Sequence, residues 1–185
     1  MELRPATAQD HSRVMAERVF TDGRSLESQG KAESFRKAIE KYEEALRLYT
    51  TAGDRRGEGD TLHQIGEIED DLGENRKALD YFNQALPLRR AVGDQRGEAD
   101  TLNSIGFVYY SLGETHKALE YYNQVLPLWR TVGDHSGEAA TFNNIGLVYD
   151  QQGETQKALE YYSQALLLIR SIGNRRREAT ALNNI

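Results

Sequence analysis

Apolar positions along the chain recur at intervals of three and four residues. The runs at 102–109 and 118–126 both show this spacing, and the short segment 112–115 separates them. Because an α-helix turns once every 3.6 residues, each run places its apolar side chains on one helical face. Gly113 in the separating segment suits the left-handed conformation that often ends a helix. The pattern therefore predicts two helices joined by a tight turn, a helical hairpin.

The hairpin pattern repeats along the chain. Segments 55–94, 95–134 and 135–174 align without gaps, and glycines, alanines and aromatic residues fall in register. A divergent earlier copy starts near Met15, and the last seven residues begin a further copy. We expect a lead-in segment and an array of repeats, with these bounds: lead-in 1–14, array 15–185, repeats at about 15–58, 59–98, 99–138 and 139–178, and a partial fifth at 179–185.

A single hairpin cannot bury its own apolar face, so neighbouring copies are expected to stack. The predicted fold class is all-α, a right-handed α-solenoid of stacked antiparallel hairpins. Gly106 lies on the packing side of its helix, where a missing side chain allows the paired helices to approach closely. Asp94 and Asp134 precede helices and are expected to cap them.

Pro127 interrupts the pattern in the second helix of its repeat. On a helical wheel it lies opposite Ala118, Tyr122 and Val125, so it is predicted on the outer, solvated face. A proline there bends the helix around the core, and water satisfies the carbonyl that loses its partner. Pro87 repeats this feature, whereas Leu167 replaces it, which predicts a straighter second helix in the last full repeat.

The composition narrows the possible classes of function. The chain has 185 residues, 28% of them charged, and a formal net charge of −6. The acidic balance disfavours nucleic-acid binding, which relies on clustered Lys and Arg. No stretch approaches the ~20 consecutive apolar residues of a membrane span, and the first residues lack the apolar core of a secretory signal. These features predict a cytoplasmic protein that does not bind a membrane.

Candidate chemistry is sparse in this sequence. The chain has no cysteine, which excludes disulfides and thiolate sites. Its four histidines show no metal-ligand spacing. Residues 23–32 hold two glycines and a lysine but lack the spacing of a phosphate-binding loop. We therefore expect no catalysis, no metal site and no cofactor.

The repeat resembles a known family. The first helix of the repeat carries Leu102, Ile105, Gly106 and Tyr109, and the second helix carries an alanine and an aromatic residue. This pattern resembles the tetratricopeptide repeat. The usual period of that repeat is about 34 residues, and the longer period here is similar to kinesin light chains, LGN-type adaptors and bacterial arrays that precede a CHAT domain. The opening segment is also similar to the lead-in of the bacterial group. The resemblance implies a concave groove, lined by the first helices, that receives an extended peptide or a partner helix.

Two features of the predicted groove point to recognition. Amides recur at one position of the first helices, and amides both donate to and accept from a peptide backbone. Exposed apolar residues mark interaction sites, and surrounding carboxylates favour a basic ligand. The candidate groove residues are His63, Gln64, Asn103, Phe107, Tyr110, Asn143, Asn144, Leu147, Asp150, Asn183 and Asn184. The acidic rim comprises Asp60, Glu67, Asp70, Asp71 and Asp100.

The leading prediction is a non-catalytic scaffold that binds a protein or peptide carrying a basic residue and one apolar anchor. Alternatively, the charged face only keeps the array soluble. A second possibility is a homo-oligomer formed through apolar residues near the end of the chain: Leu166, Ile169, Leu182 and Ile185. A third is the sensor region of a CHAT-protease-type enzyme, whose catalytic domain would lie in a longer chain.

Overall fold

The computed structural model describes residues 7–173, together with Glu178 and Leu182. Within this range the chain forms helices and turns, without a β-strand. The helices are α1 (Ala8–Glu27), α2 (Ala32–Ala52), α3 (Arg55–Asp71), α4 (Asn75–Ala91), α5 (Gln95–Ser111), α6 (Thr115–Val132), α7 (His135–Gln151) and α8 (Thr155–Ser171). Contacts divide the chain into unit 1, Met1–Asp94, and unit 2, Gln95–Ile185.

Unit 1 consists of two hairpins. Helix α1 pairs with α2 and α3 pairs with α4, while α2 packs on α3 to join the hairpins. Tyr42 and Ile65 are fully buried between them, and Phe20 packs against the same cluster. The two hairpins thus share a core that neither could build alone.

The first helix begins earlier than the repeat pattern predicted. Thr7 caps α1, because its hydroxyl accepts from the Asp10 backbone N–H and the Asp10 carboxylate accepts from the Thr7 N–H. This reciprocal capping box starts the helix at Ala8. Part of the predicted lead-in segment 1–14 is therefore helical. The predicted repeat boundaries at 59, 99 and 139 also fall inside helices, which begin four residues earlier.

Unit 2 has the same construction. Helices α5 and α6 form one hairpin, α7 and α8 form the next, and α6 packs on α7. Tyr122, Ile145 and Val148 are almost completely buried in the shared core, with Phe142 beside them. The apolar runs read from the sequence are the buried faces of these helices.

Glycines and an aspartate position the helices of unit 2. A Cβ added at Gly106 would lie 2.7 Å from the ring of Tyr122, so only glycine allows this close approach. Gly113 has a φ of 76°, the left-handed conformation predicted for the turn. Asp134 caps α7 by accepting from the backbone N–H of Gly137 at 2.9 Å. These three predictions are confirmed, whereas the capping by Asp94 stays a prediction.

The prolines lie on the outer faces of their helices. Pro87 in α4 and Pro127 in α6 are exposed, and both helices continue through them. Leu167, at the same position of α8, is 67% exposed. The predicted solvated position is confirmed, and the straighter course of α8 stays a prediction. In the described part of the chain, the helices lack the combination of length and apolar character required to cross a membrane.

Candidate partner-binding face

The first helices of unit 2, α5 and α7, bring the predicted amides together. Asn103, Asn143 and Asn144 are partly buried. The Asn144 side-chain N–H donates to the Asn103 side-chain oxygen at 3.3 Å, which links the two helices. An amide oxygen accepts two hydrogen bonds, so Asn103 retains the capacity for a second donor. We call the surface formed by these residues and their neighbours on α5 and α7 the first-helix face of unit 2.

An apolar patch lies on the same face. Phe107 is 41% exposed, and its ring centroid lies 6.2 Å from that of Tyr110. Leu147, one repeat later at the position of Phe107, is partly buried. Tyr110 packs against the core cluster beneath the face. Phe107 and Leu147 form the apolar patch, and Tyr110 anchors it from below.

The core beneath the patch contains an unsatisfied hydroxyl. Tyr122 is fully buried, and its hydroxyl has no hydrogen-bond partner in the described part of the chain. The corresponding residue of unit 1, Tyr42, donates to the carboxylate of Glu27 at 2.5 Å. The residue of unit 2 at the position of Glu27 is Tyr110. Tyr110 does not accept a hydrogen bond from Tyr122 as Glu27 does from Tyr42, and burial raises the pKa of Tyr122.

A pocket opens next to the amides of the first-helix face. Its volume is about 270 Å³, and it lies where α5, α6 and the start of α7 meet. The residues that line it are Arg96, Asp100, Asn103, Trp129, Asp134, Ser136, Gly137 and Ala140. The Arg96 guanidinium lies 2.8 Å from the carboxylate of Asp134 and fixes one side of the opening.

The predicted acidic residues of unit 1 lie on or near α3. Asp60 is partly buried and lies 3.2 Å from the guanidinium of Arg89. Burial raises the pKa of Asp60 despite that cation. The pKa of Asp70 is raised by burial and then by the charges of Asp71 and Glu67, and the pKa of Asp71 is raised for similar reasons. The fold thus holds three carboxylates where ionisation is disfavoured.

His63 differs from the other predicted groove residues because it is only 7% exposed. Its ring centroid lies 5.3 Å from that of Phe82, and its Nε2 lies 3.4 Å from the carboxylate of Glu67. Gln64 donates to the other oxygen of that carboxylate at 2.5 Å. Burial alone would raise the pKa of Glu67, but His63 and Gln64 together lower it. His63 therefore packs inside unit 1 and offers little surface to a ligand.

The sequence profile of the tetratricopeptide repeat matches residues 29–91 and 97–171. The chain belongs to the tetratricopeptide repeat family. The predicted resemblance and the all-α repeat fold are therefore confirmed. Tetratricopeptide repeats are generally non-catalytic modules of protein interaction. A sequence search of curated proteins finds no match.

Solved structures share this tetratricopeptide fold. Aspartyl phosphate phosphatase F from Bacillus subtilis superposes with a TM-score of 0.81 at 16% identity, over 88% of this chain and 42% of the phosphatase. A signal-transduction ATPase with numerous domains and a tetratricopeptide repeat sensor, from Pyrococcus horikoshii, superposes with a TM-score of 0.81 at 21% identity. The superposition covers 94% of this chain and 26% of the ATPase. A Rap protein complexed with competence and sporulation factor superposes with a TM-score of 0.73 at 19% identity, over 88% of this chain and 45% of the Rap protein. This chain spans less than half of each of these proteins, and the likeness shows the fold.

The tetratricopeptide units bring together only part of the predicted site. Asn103, Phe107, Asn143, Asn144 and Leu147 share one face, and Asp100 and Asp150 are exposed on the same two helices. Asn183 and Asn184 lie outside the described residues. Within the described residues, no group of three or more His, Asp and Glu side chains could hold a metal ion.

Sequence reasoning missed the pocket. Trp129 follows the helical spacing of core residues, which indicates only that it packs in the core, and it is 4% exposed. The available signal was the comparison between copies, because the position of Asn103 holds the aromatic Phe20 in the first hairpin of unit 1.

The residues proposed for end-to-end association are partly covered. Leu166 and Ile169 are 8% and 6% exposed and pack with Ala139 inside unit 2. The prediction that these two residues offer apolar surface for association is wrong, because both are buried in unit 2. Leu182 is 48% exposed, and Ile185 lies outside the described residues.

Proposed function

We propose that this chain is a recognition module that binds an extended segment of a partner protein on the first-helix face of unit 2. The observation that carries the proposal is the exposure of Phe107, at the position that Leu147 holds in the next repeat. Exposure of a large apolar side chain to water is unfavourable, and neighbouring exposed apolar residues usually mark an interaction site. The amides around the patch supply donors and acceptors for a peptide main chain, which an extended segment leaves unpaired.

The charge of the surroundings indicates the chemistry of the segment. Asp100 and Asp150 are exposed on the two helices that form the face. Carboxylates placed around an apolar patch favour a segment that carries Lys or Arg together with an apolar anchor. The expected partner is thus a protein segment with a basic residue and one apolar residue. The Rap protein of the same fold, crystallised with competence and sporulation factor, provides a precedent for binding by such an array.

The test measures binding of fluorescent peptides by anisotropy. A library of extended peptides should contain members with a basic and an apolar residue that bind. Raising the salt concentration from about 0.05 to about 0.5 M should weaken their binding, because exposed charges are screened. Phe107→Ala should reduce the affinity of those peptides about tenfold or more, as expected for an apolar anchor. Leu167→Ala provides the matched control, because Leu167 is more exposed but lies on the outer face of α8.

Two results would contradict the proposal. One is a library without a binder to the folded wild-type chain. The other is equal loss of affinity in the Phe107 and Leu167 variants, which would show that any exposed apolar side chain serves as well.

A further inference from the structure

The size of the pocket in unit 2 limits what it can hold. Its volume of about 270 Å³ lies below the roughly 300–1,000 Å³ of sites for small molecules and cofactors. It opens on the same face as the apolar patch, so a segment bound to the patch would pass over it. This size suits one side chain of that segment.

The lining of the pocket favours a cation. The lining contains the carboxylates of Asp100 and Asp134 and the guanidinium of Arg96, which lies 2.8 Å from Asp134. The second Asp134 oxygen accepts from the Gly137 backbone N–H at 2.9 Å. Asn103 adds an amide oxygen, and Trp129 contributes an apolar wall. An arginine side chain matches this combination better than a lysine, because its guanidinium stacks on aromatic rings and donates in a planar fork to carboxylate and amide oxygens.

The two units of the chain show what creates the pocket. In unit 1 an arginine also pairs with the capping aspartate of the next first helix, Arg13 with Asp54 at 3.1 Å. In the first hairpin of unit 1 the position of Asn103 holds Phe20, whose ring centroid lies 5.1 Å from Tyr42 and 6.5 Å from Tyr49. Tyr49 corresponds to Trp129 in the repeat alignment. The ion pair is therefore a shared structural feature, whereas the space beside Trp129 exists because an amide replaces a phenyl ring.

For a segment that runs along α5, the distance from the pocket to the apolar patch sets a register. Asn103, at the pocket, and Phe107, in the patch, are four residues apart on α5, a rise of about 6 Å. In an extended peptide, side chains that point to the same side are two residues apart and about 6.6 Å from each other. The next same-side neighbour lies about 13 Å away, which overshoots the patch.

We propose that the pocket between α5, α6 and α7 receives an arginine side chain of the bound segment, and that the apolar patch receives a side chain two residues away. This inference rests on the proposed function, because it assigns two subsites on the same face. It predicts a ligand motif of one arginine and one apolar residue separated by a single residue.

The experiment combines peptide spacing with a substitution that fills the pocket. Peptides of equal composition should bind best when one residue separates arginine from leucine, by about tenfold over adjacent placement or separation by three residues. Replacing the arginine by alanine in the best peptide should weaken binding to the wild-type chain by a similar factor. Asn103→Phe, which copies Phe20 of unit 1, should abolish the difference in affinity between the arginine peptide and the alanine peptide.

Two further variants keep the test decisive if Asn103→Phe disturbs the fold, which circular dichroism and the melting temperature would reveal. Asp100→Asn keeps the shape of the pocket and should reduce the preference for arginine over alanine. Ala140→Asp adds a carboxylate at a lining position that is aspartate in the two preceding copies, and it should increase that preference.

The outcomes separate the two proposals. If peptides bind but arginine matters equally to the wild-type chain and to the folded Asn103→Phe variant, the pocket does not receive it and the inference is overturned. Binding without preference for spacing also overturns it, while the proposed function stands. If no peptide binds the wild-type chain, the proposed function fails and the inference fails with it.

Discussion

One position in the second helix of each hairpin holds a buried aromatic ring whose hydroxyl has a different fate in different copies. In unit 1, Tyr42 donates its hydroxyl hydrogen to Glu27. The next copy avoids the problem with Phe82, which has no hydroxyl. In unit 2, Tyr122 keeps the hydroxyl without a partner in the described chain. A buried polar group costs free energy when it lacks a hydrogen bond, so these three copies differ in local stability.

Removing the two hydroxyls should therefore change stability in opposite directions. Tyr122→Phe should raise the free energy of unfolding by up to about 1 kcal/mol, because it deletes an unsatisfied group. Tyr42→Phe should lower it by about 1.5–3 kcal/mol, since it removes a hydrogen bond to a carboxylate and leaves Glu27 unpartnered by the phenol. Urea unfolding followed by circular dichroism measures both changes. Equal losses in the two variants would show that the Tyr122 hydroxyl is satisfied by water.

Single residues also show how far the sequence was informative. The close approach at Gly106 was predictable, because a glycine recurring on a packing face opposite a recurring aromatic residue has a steric explanation. The burial of His63 was not, since its position in the repeat is partly open where asparagine occupies it. Imidazole is larger and stacks near Phe82, and such a side-chain choice depends on neighbours that are remote in sequence.

At the scale of helices, the prolines are placed where they do least harm. Pro127 is exposed on α6, so a proline at this position costs no packing against the core. Its missing N–H leaves the carbonyl of Asn123 to water, which reaches an outer helix face. Two energies oppose each other here, a cost of about 3 kcal/mol for proline inside a helix and a gain of about 0.4–1 kcal/mol from a stiffer unfolded chain.

Pro127→Leu, which copies Leu167 of α8, should raise the free energy of unfolding by about 2 kcal/mol, because the larger of these two opposing terms is relieved. Denaturant titration measures the change. Leu167→Pro gives the reciprocal control and should lower stability by a similar amount. Unchanged stability in both variants would mean that α6 and α8 tolerate proline equally at this exposed position.

Helix existence and type followed from periodicity, but helix starts did not follow from repeat bounds alone. The Thr7–Asp10 capping box and the Asp134 cap show that the local hydrogen bonds of three or four residues decide where each helix begins. Alignment of the repeats gives their period but does not show at which residue each helix begins. The capping residues supply that information.

At the scale of the molecule, the carboxyl groups of α3 make stability depend on pH. Asp60, Asp70 and Asp71 have raised pKa values, whereas that of Glu67 is lowered. A raised carboxyl pKa contributes stability that is complete below the unfolded pKa and is lost as the pH rises through the folded pKa. The three aspartates therefore favour the folded state in mild acid more than at neutral pH.

Asp70→Asn should raise the free energy of unfolding at pH 7 by up to about 1 kcal/mol, because the amide removes a charge that burial and two neighbouring carboxylates disfavour. The gain should shrink as the pH falls through the raised pKa and vanish below the ordinary value of 3.8. Urea unfolding over a pH series measures it. The exposed Asp150, at the same position of a later repeat, provides the control, and an equal gain in Asp150→Asn would contradict this account.

The exchange of Phe20 for Asn103 also bears on how such a chain acquires new specificities. Both side chains occupy the same place in a framework whose ion pair and helix cap are retained, so the architecture tolerates either one. A change of one residue is then enough to open or close a receptor site without redesigning the scaffold around it. Duplicated hairpins can in this way diversify one position at a time, and each copy keeps a record of an alternative setting.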